Sequence, residues 1–139
     1  MSEQSTTPNL VELSRRFLEA ANRRDFDVMM SFFAPDAVLE PTVLPTTLEG
    51  VAAIRRFFQD WFASYEELWL GEEEVLDLGN GVVFSVVIQK GRLIGSSGEV
   101  RLRSGVVGEW VDGLIVRVTL RSDIEEARAA AEQLAESRR

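Results

Sequence analysis

The stretch Trp110-Val111-Asp112-Gly113-Leu114-Ile115-Val116-Arg117-Val118 decides how the second half of the chain is read. Asp-Gly between two apolar runs is a strong hairpin signal, because such turns need residues that accept a positive φ. Side chains on a strand alternate between two faces. Before the turn, Val100, Leu102, Ser104, Val106, Gly108 and Trp110 share one face, opposed by Arg101, Arg103 and Glu109. After it, Leu114, Val116, Val118 and Leu120 share a face, opposed by Arg117, Thr119 and Arg121. The two apolar faces must lie on the same side of the sheet. A two-residue turn would set Trp110 opposite Ile115 and onto the arginine face, a poor solution. A three-residue loop, Val111-Asp112-Gly113, sets Trp110 opposite Leu114 and Val106 opposite Val118, with Gly113 in a glycine bulge. The three-residue loop is therefore expected, and with it an inner face that is almost wholly apolar.

Working outward, residues 66–78, 81–93, 99–110 and 114–122 read as four long, curved strands, the first two joined at Asn80-Gly81. Upstream, Leu13, Phe17, Leu18 and Ala21 recur at helical spacing, and Thr7-Pro8 suits the start of that helix. Asp25 can cap a second helix carrying Phe26, Met29, Met30 and Phe33, which Pro35 should end. A short strand follows over residues 36–40, then a loop broken by Pro41 and Pro45. After Gly50 a third helix turns Ile54, Phe57, Phe58, Trp61 and Phe62 inward. Asp123 opens a closing helix over residues 124–135. Helices first and an antiparallel meander after them make an α+β arrangement. One domain over residues 8–135 is expected, with a disordered segment 1–7 before it and a tail 136–139 after it.

Composition excludes several function classes. The 139 residues are 45% apolar and 27% charged, ordinary for a globular domain. Cysteine and histidine are both absent. That removes disulfides, thiolate nucleophiles, imidazole bases and the usual zinc sites. A net charge of −8 opposes nucleic-acid binding and favours solubility. There is no apolar run long enough for a membrane span, and residues 1–9 lack the basic and apolar regions of a signal peptide. A cytoplasmic location is the expectation, with no cofactor and no metal.

Four segments carry a family resemblance: Phe17-Leu18-Glu19-Ala20-Ala21-Asn22-Arg23-Arg24-Asp25-Phe26-Asp27, Phe33-Ala34-Pro35-Asp36-Ala37-Val38, Glu49-Gly50-Val51-Ala52-Ala53-Ile54-Arg55-Arg56-Phe57-Phe58, and Asp112-Gly113-Leu114-Ile115-Val116-Arg117-Val118. In order and spacing they resemble the nuclear transport factor 2-like superfamily, in its SnoaL-like polyketide cyclase and ketosteroid isomerase branch. The resemblance implies a curved antiparallel sheet wrapped around the N-terminal helix as a cone, with a ligand cavity at the wide end. It also implies a homodimer formed through the sheet. The family hosts many functions, so activity must be argued from the site.

Carried over residue by residue, the resemblance matches the steroid isomerases' oxyanion tyrosine to Phe17 and their aspartate base to Pro41. The second oxyanion acid, or the histidine of many cyclase-like members, matches Val106. The acid that cyclase-type and epoxide-hydrolase-type members keep on the last strand matches Leu120. Proton abstraction next to a carbonyl needs a base and donors aimed at the oxyanion. None of these four side chains supplies either.

The polar groups that remain have bland readings beside the functional ones. Glu40 is the acid nearest the lost base and the weak catalytic candidate; strict alternation turns it away from the cavity unless Pro41 breaks the pattern. Ser104 and Ser122 lie on the inward parity, where each can hydrogen-bond a ligand or its own backbone. Trp61, Tyr65, Trp69 and Trp110 can line a cavity mouth or simply pack. Glu72-Glu73-Glu74 reads as a solvated edge rather than a metal site. Gly91, Gly95 and Gly98 with Ser96-Ser97 mark a turn, not a phosphate loop. Arg101, Arg103, Arg117 and Arg121 form a stripe on the outer face. These arginines can pair with acids across a dimer interface or stay hydrated; Arg103 directly opposite Arg121 is costly without a counter-charge and favours the interface.

The expected function is binding of a small, largely apolar molecule, in a cavity lined by Phe17, Leu39, Trp61, Ser104, Val106, Trp110, Val118 and Leu120. The alternatives are a divergent cyclase, isomerase or epoxide-hydrolase-like enzyme with relocated acid and base groups, and a non-catalytic dimerisation domain with a filled cone.

Overall fold

Asn9 opens the first helix, its side chain accepting from the Glu12 amide at 3.1 Å, as a helix cap should. The computed structural model describes residues 9–41 and 46–139. The Thr7-Pro8 start, the segment 1–7 and Pro45 lie outside the described residues. The elements are α1 (Leu10–Asn22), α2 (Phe26–Ser31), β1 (Phe33–Glu40), β2 (Leu48–Glu49), α3 (Val51–Ala63), β3 (Tyr65–Gly79), β4 (Val82–Leu93), β5 (Val100–Val111), β6 (Leu114–Arg121) and α4 (Ile124–Ser137). Asp25 caps α2 and Asp123 caps α4, each through a side-chain oxygen on the amide three residues on. The expected end of α2 at Pro35 is corrected: the helix stops at Ser31, and β1 already runs from Phe33 through Pro35. The closing helix continues to Ser137, into the expected tail.

The six strands form one curved, unclosed sheet in the order β2-β1-β6-β5-β4-β3. The expectation of an all-antiparallel sheet is corrected at one seam, where β1 runs parallel to β6. Helices α1 and α3 close the concave side over an inner core that includes Ala20, Met29, Leu39, Ile54, Phe58 and Phe62. The convex side has a second, smaller core. There Ala127, Ala131 and Ala135 of α4 bury Val82, Phe84, Val86 and Val107. Asn22 clips the end of α1 to the sheet's edge, since its side chain both donates to the Leu70 carbonyl and accepts from the Leu70 amide, each at 2.8 Å. An edge strand's unpaired backbone is thereby satisfied at the middle of β3.

The hairpin solves its parity problem differently from the expected three-residue loop. Val111 pairs with Leu114 around a two-residue turn, with Asp112 at φ 52° and Gly113 at φ 81°. Trp110 does face Ile115, but Glu109 then faces Arg117, so Val116 is an extra residue in β6. This bulge brings Val118 to the side that Trp110 shares with its partner Ile115, and all three are buried. Val106 therefore faces Leu120 rather than Val118, and Arg121 faces Gly105 rather than Arg103.

Candidate functional site

The concave side of the sheet and the helices enclose a cavity of about 800 Å³. Phe17 of α1, Trp61 of α3, Ser104, Val106 and Trp110 of β5, and Val118 and Leu120 of β6 all line it. Leu39 does not: it is fully buried in the inner core, a residue too deep on β1 to reach the hollow. Pro41 does reach it, so the four positions that the resemblance matched to catalytic groups, Phe17, Pro41, Val106 and Leu120, converge on one wall system. Phe17 is held by edge-on contacts with Phe32 and Phe33 at 5.8 Å and with Phe58 at 6.0 Å, and its own side chain offers no donor.

Glu40 is corrected as a catalytic candidate. It stands on the outer side of β1, paired with Arg117, and does not line the cavity. The arginine stripe is corrected at three of its four members, because Arg103, Arg117 and Arg121 find counter-charges in the same chain. Arg103 grips Glu73 with two hydrogen bonds of 2.6 and 3.1 Å, and Arg121 meets Glu126 at 3.2 Å. Trp69 is half exposed on the outer side, beneath the Lys90 ammonium at 5.4 Å, whereas Trp61, Tyr65 and Trp110 line the hollow. Ser122 also lines it.

The solvated-edge reading of Glu72-Glu73-Glu74 fails for its first member. A bulge at Glu73 sends the three acids to three environments. Glu72 faces the cavity, Glu73 pairs with Arg103, and Glu74 accepts from Arg128 at 2.8 and 3.2 Å beside α4. Burial pushes the Glu72 carboxyl above its ordinary value, opposed by a long Ser85 hydrogen bond of 3.5 Å and by the Arg15 charge. The Arg128 hydrogen bonds hold Glu74 below the usual carboxylate range.

Beside Glu72, the inward side of β4 carries Ser85 and Gln89, both buried. Gln89 Nε2 donates to Tyr65 Oη at 2.7 Å, which leaves the tyrosine hydroxyl hydrogen free for another acceptor. The sequence placed Glu72 on a solvated edge and gave no role to Ser85 or Gln89. Alternation along β4, applied as on β5, would have put Val83, Ser85, Val87 and Gln89 on one face. Among the described residues no three acids converge as a metal cluster would. No helix there is long and apolar enough to cross a membrane.

A family model described as the SnoaL-like domain matches residues 14–118. The chain belongs to the SnoaL-like domain family. No curated protein matches its sequence. Among solved structures, an NTF2-like protein of unknown function from Burkholderia pseudomallei is similar at 18% identity and TM-score 0.74, over 90% of this chain and 98% of that one. A Xanthomonas campestris pv. campestris protein, provisionally assigned as a polyketide cyclase, is similar at 25% identity and TM-score 0.68, over 86% and 93%. A Mycobacterium tuberculosis protein in complex with estradiol-17beta-hemisuccinate is similar at 16% identity and TM-score 0.71, over 83% and 94%. The α+β fold and the family are thus those that the four sequence segments indicated.

Proposed function

We propose that this SnoaL-like domain binds a small, largely apolar molecule in its cone. One observation carries the reading: Phe17, Pro41, Val106 and Leu120 stand on the wall of a cavity of about 800 Å³ and offer it only apolar surface. That volume suits a compact ring system, and apolar walls favour such a guest by roughly 25 cal/mol per Å² removed from water. The steroid ester bound to the Mycobacterium tuberculosis neighbour supports the same class of guest. A dimerisation domain with a filled cone fits less well, since the aromatics leave the hollow open. Native mass spectrometry of gently purified protein tests the proposal. A co-purifying or exchangeable apolar molecule is expected, and a protein that takes up none at any concentration up to solubility overturns it.

A second reading, an enzyme with relocated groups, is favoured by Glu72 rather than by Glu40. A carboxyl raised by burial beside a hydroxyl is a fair proton donor or acceptor. A bound molecule that changes mass on incubation with the native protein, and not with Glu72→Gln, would establish it. Pairing of two copies also belongs to the proposal. Because α4 covers β4 and β5 and Arg103, Arg117 and Arg121 each pair with an acid of the same chain, a second copy would use other exposed apolar residues such as Trp69 and Ile94. Sedimentation of the native protein against Trp69→Glu tests that contact.

A further inference from the structure

We infer that the cavity selects a cationic guest, an apolar amine whose ammonium sits against Glu72. The inference rests on the reading that the cone takes an apolar molecule, and adds the charge that molecule should carry.

Glu72 is the half-buried acid of the cavity wall, and no salt bridge within the described residues neutralises it. The charged groups around it leave the balance negative. From α1, Arg15 lies within reach of its field but is itself bound to Glu12. From β5, Arg103 lines the cavity with its guanidinium spent on Glu73. From α3, the lining charge is Asp60, a second acid. From β4, the neighbour is Ser85, whose 3.5 Å hydrogen bond is weak support for a carboxylate.

A carboxylate held in apolar surroundings without a counter-ion is costly, and a guest ammonium removes that cost where a neutral guest cannot. A ketone or ester oxygen would meet the carboxylate as acceptor against acceptor. The remaining wall agrees with a cation. Phe57, Phe58, Trp61 and Trp110 present aromatic surface that attracts an ammonium through its negative face. The chain's net charge of −8 draws cations toward the mouth.

The test compares 1-adamantanamine with 1-adamantanol, two cages of nearly one shape that differ in charge. Both are titrated calorimetrically at pH 7.5 into the native protein, Glu72→Gln and Glu74→Gln. The native protein should prefer the amine by tenfold or more. The preference should vanish in Glu72→Gln while the alcohol still binds, which also shows that this variant is folded. It should persist in Glu74→Gln, whose altered acid lies outside the cavity. Equal affinities in the native protein, or a preference that survives Glu72→Gln, would overturn the cationic guest and leave the apolar cavity standing. If neither cage binds, the apolar cavity itself is overturned and the inference with it.

Discussion

Three adjacent glutamates show how little residue type alone fixes a role. Leu68 and Leu70 turn toward the inner core, and so does Val75, although it has the opposite parity in the sequence. The switch is the bulge at Glu73, and it leaves Glu72 inside. Burial raises Glu72, so between the ordinary carboxylate range and its raised value the folded protein holds a proton that the unfolded chain has released. Its contribution to stability is greatest below the ordinary range and declines as pH climbs through the raised value. Glu72→Gln should therefore be more stable than the native protein at pH 8, by on the order of 1 kcal/mol at most, since the group is partly solvated. The gain should shrink toward pH 4.5. Urea unfolding of both proteins at the two pH values measures it; a constant difference would mean that burial does not burden this carboxyl. The inward acid was hidden because a run of like charges carries no hydrophobic signal to mark where a strand gains a residue.

At the scale of elements, the sheet is held by contacts that periodicity reveals only in part. The helical stripes of α1 and α3 and the two turn dipeptides were legible, because 3.6-residue spacing and positive-φ residues leave clear marks. The bulge at Val116 was not, since moving an extra residue from the turn into the strand leaves the pattern of apolar residues unchanged. Nor was the Asn22 clip, which joins residues far apart in the chain. Asn22→Ala removes both hydrogen bonds to Leu70 and strands its backbone, so a loss of about 1–3 kcal/mol is expected. Amide exchange should rise first at Leu70 if the clip acts locally. The outer face offers a separate test. A Cβ on Gly105 would come 2.5 Å from the Ala127 Cβ, under the first turn of α4. Gly105→Ala should lift that helix and cost about 1–3 kcal/mol as overpacking does. Chemical denaturation with far-ultraviolet circular dichroism reads both the loss and the helix.

The whole molecule puts two cores on opposite sides of one sheet, and the inner one is hollow. Alanines let α4 lie close on the convex face over Val82, Phe84, Val86 and Val107. On the concave side the large rings of α1 and α3 meet each other and span the opening without filling it. Two outcomes for one substitution separate a hollow cone from a solid one. Val106 stands on the wall with Ser85 and Leu120 as its strand neighbours. In a solid core Val106→Phe would force side chains off their preferred rotamers and cost about 1–3 kcal/mol. In a hollow cone the added ring occupies empty volume and buries apolar area, so stability should hold or rise by up to about 1 kcal/mol. The same ring takes space from a guest. Calorimetric melting of Val106→Phe should thus give an unchanged or higher Tm, while native mass spectrometry finds any co-purifying molecule lost. A lowered Tm with the guest retained would mean that the hollow lies elsewhere than against Val106.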